Sequence, residues 1–111
     1  MSDFSDRWEV YDRYGNKIYM TVERWNHALE SRPWLEPFHE QALNTLRHGR
    51  RKQDPLNPQK YKYYHPLSDL LPEFNHLVVI VLLGNRENPE GHWEPNNYVT
   101  NVWAVYLYQG K

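Results

Sequence analysis

The stretch His76-Leu77-Val78-Val79-Ile80-Val81-Leu82-Leu83 is apolar after its first residue and rich in β-branched side chains. Its length fits a strand, and Gly84-Asn85 ends it with a turn signal. Because apolar residues occupy successive positions rather than alternate ones, both faces of this strand are expected to be covered. The sequence therefore predicts a central strand, around which the rest of the fold is arranged.

The residues before this strand predict a hairpin and two helices. Apolar residues recur at alternate positions within Trp8 to Thr21, on both sides of the turn signal Asp12-Arg13-Tyr14-Gly15-Asn16, which is typical of a β-hairpin. Thr21 is a candidate N-cap for a first helix, which is expected to end before Pro33. A second helix is predicted from Pro33 to Gly49.

Short segments complete the predicted fold, which is α+β. We expect an extended loop or ragged edge segment at Arg50 to Lys60, a strand at Tyr61 to Tyr64, a mobile loop at Asn85 to Asn97 and a last strand at Val99 to Tyr108. Since helices and strands are segregated along the chain, the N-terminal hairpin and two helices should pack on a small antiparallel β-sheet. Residues 1–111 then form one domain, with residues 1–7 as a flexible N-terminal tail.

Composition narrows the class of protein. The chain has 111 residues and no Cys, which excludes a disulfide framework, a Cys-based zinc site and thiol catalysis. The His residues are scattered without the spacing of a zinc-binding helix, and no cofactor motif occurs, so neither a metal nor a cofactor is expected. No apolar run has the length of a membrane span. The acidic N-terminus is unlike a secretory signal, which favours a cytoplasmic protein.

Basic residues are concentrated between Arg47 and Lys62, although the formal net charge of the chain is −1. Cations bind phosphates and flat rings stack on unpaired bases, so this segment is a candidate surface for single-stranded RNA. The candidate RNA-binding residues are Arg47, Arg50, Lys52, Lys60, Lys62, Tyr63 and Tyr64. A solvated basic loop is the alternative interpretation.

The tyrosines of this segment alternate between two faces of one predicted strand. Tyr61 and Tyr63 share one face, and Lys62 and Tyr64 share the other. One face could bind bases, or one could be core and the other a solvated edge. The sequence leaves both interpretations open.

Two further residues are candidates for proton transfer or phosphate binding. His27 lies on a polar stripe beside the apolar stripe of the first helix, where a His can titrate near neutrality. In the final strand, Tyr106 could donate a hydrogen bond to a phosphate. A surface or capping role for His27 and a packed position for Tyr106 are the alternatives.

The order of these segments resembles the small nuclease domains of the barnase, EndoU, colicin and RelE (BECR) superfamily, especially the phage- and cyanobacteria-associated branch related to RelE-type toxins. The resemblance spans Ile18 to Leu107. It rests on Thr21-Val22-Glu23-Arg24-Trp25-Asn26-His27-Ala28-Leu29 after a strand, the basic turn after Thr45-Leu46, the pair Tyr63-Tyr64, and the apolar strand with the closing strand Val102 to Leu107.

The resemblance implies a metal-independent ribonuclease of toxin type, which cleaves single-stranded RNA by transesterification through the ribose 2′-hydroxyl. In that mechanism His27 would act as base or acid, Arg51 with Arg50 or Lys62 would hold the phosphate, and Tyr106 would be an auxiliary donor. The implied partners are RNA and an antitoxin or other protein.

A non-catalytic RNA- or protein-binding module on the same fold is the alternative. The chain has Ser31-Arg32-Pro33 where the branch commonly carries Arg-His-Pro, and Ala104 where it tends to carry Thr. These differences remove one His and one hydroxyl. The enzyme requires His27, the Arg50–Lys52 turn and Tyr106 to converge on one cleft, whereas a binding module does not.

Overall fold

A computed structural model describes residues 6–68, 70 and 72–108, and within them it shows the α+β fold that the sequence predicts. The helices are α1 (Val22–Ser31) and α2 (His39–His48), joined by a 3₁₀ helix at Pro33–Phe38. The strands are β1 (Arg7–Tyr11), β2 (Lys17–Thr21), β3 (Arg50–Gln53), β4 (Lys60–Pro66), β5 (His76–Leu82), β6 (Asn85–Glu87), β7 (Trp93–Pro95) and β8 (Asn97–Val105). Among the described helices, none has the length and apolarity needed to cross a membrane.

Most of the strands form one sheet in the order β1-β2-β8-β5-β4-β3, and β6 pairs with β7 in a separate hairpin. Within the larger sheet all neighbours are antiparallel except β2 and β8, which pair in parallel at Ile18 and Tyr19. The predicted central strand is confirmed as β5, which lies between β8 and β4. Its residues from His76 to Val81 are all buried.

Helix α2 packs on one face of the sheet and supplies the middle of the core. Its buried residues Ala42, Leu43 and Leu46 belong to one apolar cluster with Leu77 and Val79 of β5. Strand alternation places every second residue of β5 on this face, where burial of each large apolar side chain contributes about 1.5–3 kcal/mol. The cluster also contains Val10, Ile18, Met20, Trp25, Ala28, Leu35, Val81, Val99 and Val102.

The sheet curls around α2, so that its two edges approach each other. Asp12 directly follows β1 at one edge, and Arg51 lies in β3 at the other. In a flat sheet five strand spacings of about 4.8 Å would separate these edges by about 24 Å. Arg51 Nη1 nevertheless lies 3.8 Å from Asp12 Oδ2. Contacts of α2 with β1, β4 and β5 are consistent with a helix held inside this curl.

The sheet face that points away from α2 is called the open face below. A cavity on this face is lined by strand residues and Leu107, with no residue from a helix. Val78 and Ile80 of β5 lie on this face and are 4% and 1% exposed, because side chains of neighbouring strands cover them. Both faces of the central strand are therefore covered, as predicted, but only one of them by a helix.

Several predicted boundaries are confirmed. The hairpin at Trp8 to Thr21 is formed by β1 and β2. The hydroxyl of Thr21 accepts a hydrogen bond from the backbone N–H of Arg24 and so caps α1, as expected of an N-cap Thr. The ragged edge segment predicted after Gly49 contains β3, an edge strand that pairs only with β4.

Other predicted boundaries are corrected. The first turn after Pro33 is 3₁₀ rather than α, and Pro37 within it has no N–H to donate to an α-helical ladder. The predicted loop Asn85 to Asn97 contains the β6–β7 hairpin, in which Asn88 Oδ1 accepts backbone hydrogen bonds from the turn. An Asn at this position mimics a backbone turn through its side chain, which apolar periodicity does not reveal.

The predicted ends of the chain also change. Strand β8 ends at Val105 rather than Tyr108, because the side chain of Asn75 takes the place of a strand partner. Its Oδ1 accepts from the N–H of Leu107, and its Nδ2 donates to the C=O of the same residue. Of the predicted tail, residues 1–5 lie outside the described residues, and Arg7 already belongs to β1.

His39, the first residue of α2, predicts a pH-dependent stability. Its ring packs edge-on between Trp8 and Trp25, with centroid distances of 4.1 and 4.9 Å, and its Nε2 atom is buried without a hydrogen-bond partner. Burial lowers the pKa of His39 from its ordinary value of 6.5, although the charge of Glu40 opposes this. The unfolded chain therefore binds a proton that the folded chain does not, and stability is lost as the pH falls below about 6.5.

We expect the midpoint of urea unfolding to decrease between pH 7.5 and pH 5.5, and His39→Phe to weaken this decrease while keeping an aromatic ring between the tryptophans. Burial and the neighbouring His65 also lower the pKa of His76, so part of the dependence should remain in the variant. Parallel pH profiles for wild type and variant would contradict the prediction.

Candidate nucleic-acid interface

Strand alternation places most of the predicted RNA-binding residues together on the open face. Arg50 and Lys52 are two residues apart in β3, and Lys60, Lys62 and Tyr64 follow the same alternation in β4. The β3–β4 register pairs Arg50 with Tyr64 and Lys52 with Lys62. The sequence therefore brings four cations and one aromatic ring to two adjacent strands on one side of the sheet.

The pairing of Lys52 with Lys62 is an unfavourable feature of this surface. Like charges directly opposite each other across two strands destabilise a sheet. Ion pairs in the described part of the chain involve Arg7, Lys17, Arg47, Arg51 and Arg86. Within the same residues Arg50, Lys52, Lys60 and Lys62 have no carboxylate partner. The open face therefore carries a local positive charge that no ion pair within residues 6–68, 70 and 72–108 compensates.

An apolar cavity of about 300 Å³ lies beside these cations. Lys52, Lys62 and Tyr64 line one side, and Trp103 and Val105 of β8 line the other. Val78 and Leu107 complete the lining. The guanidinium carbon of Arg32, the residue after α1, lies 5.8 Å from the centroid of the Trp103 ring, within the range of a cation–π contact. The site thus combines an apolar floor, two partly exposed aromatic rings and a cationic rim.

Arg51 and Tyr63 point to the opposite face and join a buried polar network. The Tyr63 hydroxyl donates to Asp12 Oδ2 at 2.5 Å, and Arg51 Nη1 donates to the Tyr63 hydroxyl at 3.2 Å. Asp12 also accepts from the backbone N–H groups of Tyr14 and Asn16 at 2.9 and 2.8 Å. Its carboxylate is 0% exposed. The network therefore links the β1–β2 turn to β3 and β4.

The charges of this network stabilise one another. Burial opposes the charged form of Asp12, but hydrogen bonds from Tyr63, Asn16 and the turn backbone together lower the pKa of Asp12 below its usual value. Burial and the bond to Asp12 raise the pKa of Tyr63 well above the ordinary tyrosine value, so this hydroxyl remains a donor. Burial also opposes the charge of Arg51, but its contacts with Tyr63 and Asp12 raise its pKa.

Arg51 and Tyr63 are consequently structural residues in this arrangement. The guanidinium of Arg51 lies between the rings of Tyr14 and Tyr61, 4.1 and 4.6 Å from their centroids. A phosphate would have to compete with Asp12 and both rings for this cation. Tyr63 is 0% exposed, which corrects its prediction as an RNA-binding residue, because a buried ring cannot stack on a base.

The other predicted residues lie apart from the open face. Arg47 on α2 donates to Glu40 and Asn44 at 2.9 and 2.7 Å. His27 is exposed on α1 and lines a cavity that contains neither Arg51 nor Tyr106. The cavity around His27 includes the carboxylates Asp6, Glu23 and Glu30 and one cation, Arg24, which is an unfavourable charge balance for RNA.

Tyr106 follows the end of β8 and is 62% exposed rather than packed. It is one residue from Leu107 in the lining of the open-face cavity, whereas Arg51 lies on the other face of the sheet. The structure therefore does not bring His27, Arg51 and Tyr106 into one cleft. Among the described residues, no group of three or more His, Asp or Glu is placed to hold a metal ion.

Trp103 is the site residue that sequence reasoning missed. The apolar residues of the final strand occupy successive positions, so that neither face of it is polar and the sequence alone does not show which way Trp103 points. The strand register shows the position of Trp103. Trp103 pairs with Val78, and Val78 pairs with Tyr64, so all three lie on the same face of the sheet. No family model matches the chain, and comparison with curated proteins and with solved structures likewise gives no match.

The buried network predicts a large effect of one hydroxyl group. Tyr63→Phe removes a hydrogen-bond partner from the buried Asp12 and from the partly exposed Arg51, which should lower the free energy of unfolding by about 1–3 kcal/mol. Tyr61→Phe is the matched control, since its hydroxyl makes no hydrogen bond to the described residues and should cost little. Urea unfolding of both variants measures the difference, and equal losses would contradict a special role for the Tyr63 hydroxyl.

Proposed function

We propose that this protein binds single-stranded RNA through the cations and aromatic rings of its open face. The observation that carries the proposal is the uncompensated pair Lys52 and Lys62 beside the aromatic cavity. A phosphate between two opposed ammonium groups would turn their repulsion into attraction. The β-strand repeat spaces Arg50 from Lys52, and Lys60 from Lys62, by about 6.7 Å, a separation suited to successive phosphates of an extended strand.

The shape of the surface favours single-stranded over double-stranded RNA. The open face is a sheet surface with two partly exposed rings and a cavity, and unpaired bases can lie on such a surface. In a duplex the bases are stacked on one another and only the phosphates and groove edges reach the protein. A cytoplasmic location, which the sequence favours, would bring the protein to this ligand.

Protection of a sheet edge is another reason for charge on β3. Lysines on edge strands discourage pairing with other chains, and this accounts for Arg50 and Lys52. It does not account for Lys60 and Lys62, because β4 is an internal strand with neighbours on both sides. RNA binding explains the positive charge on β4, whereas edge protection does not.

RNA cleavage of toxin type, and neutralisation by an antitoxin, remain predictions from the resemblance. The separation of His27 from the open face favours the non-catalytic alternative. End mapping of an RNA after incubation with wild type and with His27→Ala tests cleavage directly. Cuts that are made by wild type and absent with the variant would establish that the protein is a ribonuclease. RNA that stays intact with wild type would support binding without cleavage.

Binding predicts a specific dependence on salt. We expect Lys52→Gln with Lys62→Gln to weaken binding of a single-stranded RNA oligonucleotide and to reduce the slope of log K against log salt by about 1.4, because two phosphates are no longer neutralised. The control is Arg7→Gln with Lys17→Gln, which makes the same change in net charge, but both cations are already paired with Glu9. Equal effects of the two double variants would overturn the open-face site.

A single charge reversal should separate stability from binding. Lys52→Glu converts the repulsive pair with Lys62 into an attractive one, which should raise the free energy of unfolding by about 0.2–1 kcal/mol. The same change removes a cation that would bind phosphate and should weaken RNA binding about tenfold or more. Fluorescence anisotropy and urea unfolding measure the two effects. A variant that binds RNA as tightly as wild type would contradict the proposal.

A further inference from the structure

We infer that the open-face cavity is a subsite for one unpaired nucleobase, held against Trp103 and Tyr64 while its phosphate rests on Lys52 and Lys62. This inference rests on the proposed function and deepens it, because it makes the ligand a nucleotide polymer with accessible bases rather than any polyanion. The base would stack on the rings of Trp103 and Tyr64, which is a contact that the cations alone do not supply.

The residues that line the cavity suit a whole nucleotide rather than a phosphate alone. Val78, Val105 and Leu107 offer only apolar surface, and the Tyr64 and Trp103 rings add flat surface on which bases of any sequence can stack. No carboxylate is among the lining residues that the structure describes, so nothing there repels the anionic part of the ligand. At about 300 Å³ the cavity is at the small end of ligand pockets, large enough for a single base.

The positions of the charges match the two ends of one nucleotide. From the cation row on β4 to Trp103 on β8 there are two strand spacings, about 10 Å, with β5 between them as the floor. A phosphate on the lysines therefore lets its base extend over Val78 toward Trp103. Arg32 places a further cation 5.8 Å from the centroid of the Trp103 ring, where it could contact a neighbouring phosphate of the same strand.

An RNA that lacks bases provides the test. Binding of an adenosine dodecamer is compared with binding of an abasic ribose–phosphate dodecamer of equal charge, both at low salt. We expect the abasic oligomer to bind about tenfold or more weakly, as for loss of aromatic stacking. Equal affinity of the two oligomers would overturn the base subsite and leave phosphate binding intact. If neither oligomer binds, the proposed function itself fails.

Two tryptophan variants locate the effect. Trp103→Leu keeps an apolar side chain but removes the stacking surface, so it should lose the preference for the adenosine oligomer and retain the binding of the abasic one. Trp93→Leu is the control, because Trp93 is 71% exposed on β7 and outside the cavity lining. A full preference in Trp103→Leu, or its loss in Trp93→Leu, would contradict the assignment.

A variant of Tyr64, together with a check that each variant is folded, distinguishes lost stacking from a folding defect. Tyr64→Leu changes a partly exposed ring on the other side of the cavity, and urea unfolding of each variant establishes that it is folded before binding is compared. Both Tyr64→Leu and Trp103→Leu should reduce the preference. If folded Tyr64→Leu keeps the full preference of wild type, stacking in this cavity is excluded. A ligand of another class, such as an anionic lipid that competes fully with the adenosine oligomer and binds more tightly, would also overturn the inference.

Discussion

The buried contact between Asp12, Tyr63 and Arg51 joins the two edges of the sheet and fixes which side chains point outward. Tyr63 and Arg51 must face Asp12, across the core and far from it in sequence. Because successive residues of a strand alternate between faces, this requirement sends the residues on either side of Arg51 to the open face. A slip of one residue in β3 would turn Arg50 and Lys52 toward the inner face and Arg51 toward the open face, which would break the contact of Arg51 with Asp12.

The same contact explains why three consecutive basic residues have different environments. Arg50, Arg51 and Lys52 are consecutive, yet only the middle one has a carboxylate within reach among the described residues. The partly exposed guanidinium of Arg51 is stabilised by charge, hydrogen bonding and two aromatic rings, whereas its neighbours Arg50 and Lys52 are exposed. A net charge of −1 hides this division, since elsewhere the described cations of Arg7, Lys17, Arg47 and Arg86 are paired with glutamates. The proposed binding surface thus groups Arg50, Lys52, Lys60 and Lys62, none of which has a carboxylate partner among the described residues.

Local sequence rules predicted the elements better than the site. The hairpin, the Thr21 cap and the central strand follow from turn chemistry, capping and apolar run length, which act within a few residues. The cations of the interface could also be predicted, because they are close together in the chain. The tyrosines that share a face with these cations could not be predicted, since strand alternation alone leaves two equivalent faces. Only the distant Asp12, which the sequence presents as an ordinary turn residue, makes one face the core.

The open face also shows why a sheet can remain without a second layer of helices. Val78 and Ile80 are almost completely buried, and no residue of the described helices lines the cavity above Val78. Lys52, Lys62, Tyr64 and Trp103 line the cavity around Val78, and long lysine side chains can cover apolar surface with their methylene stems while the ammonium group reaches water. Residues proposed to bind RNA therefore also lie over the central strand. In the proposed complex, a base would instead cover the parts of Tyr64, Trp103 and Val105 that are still exposed, and burial of this apolar surface would favour binding.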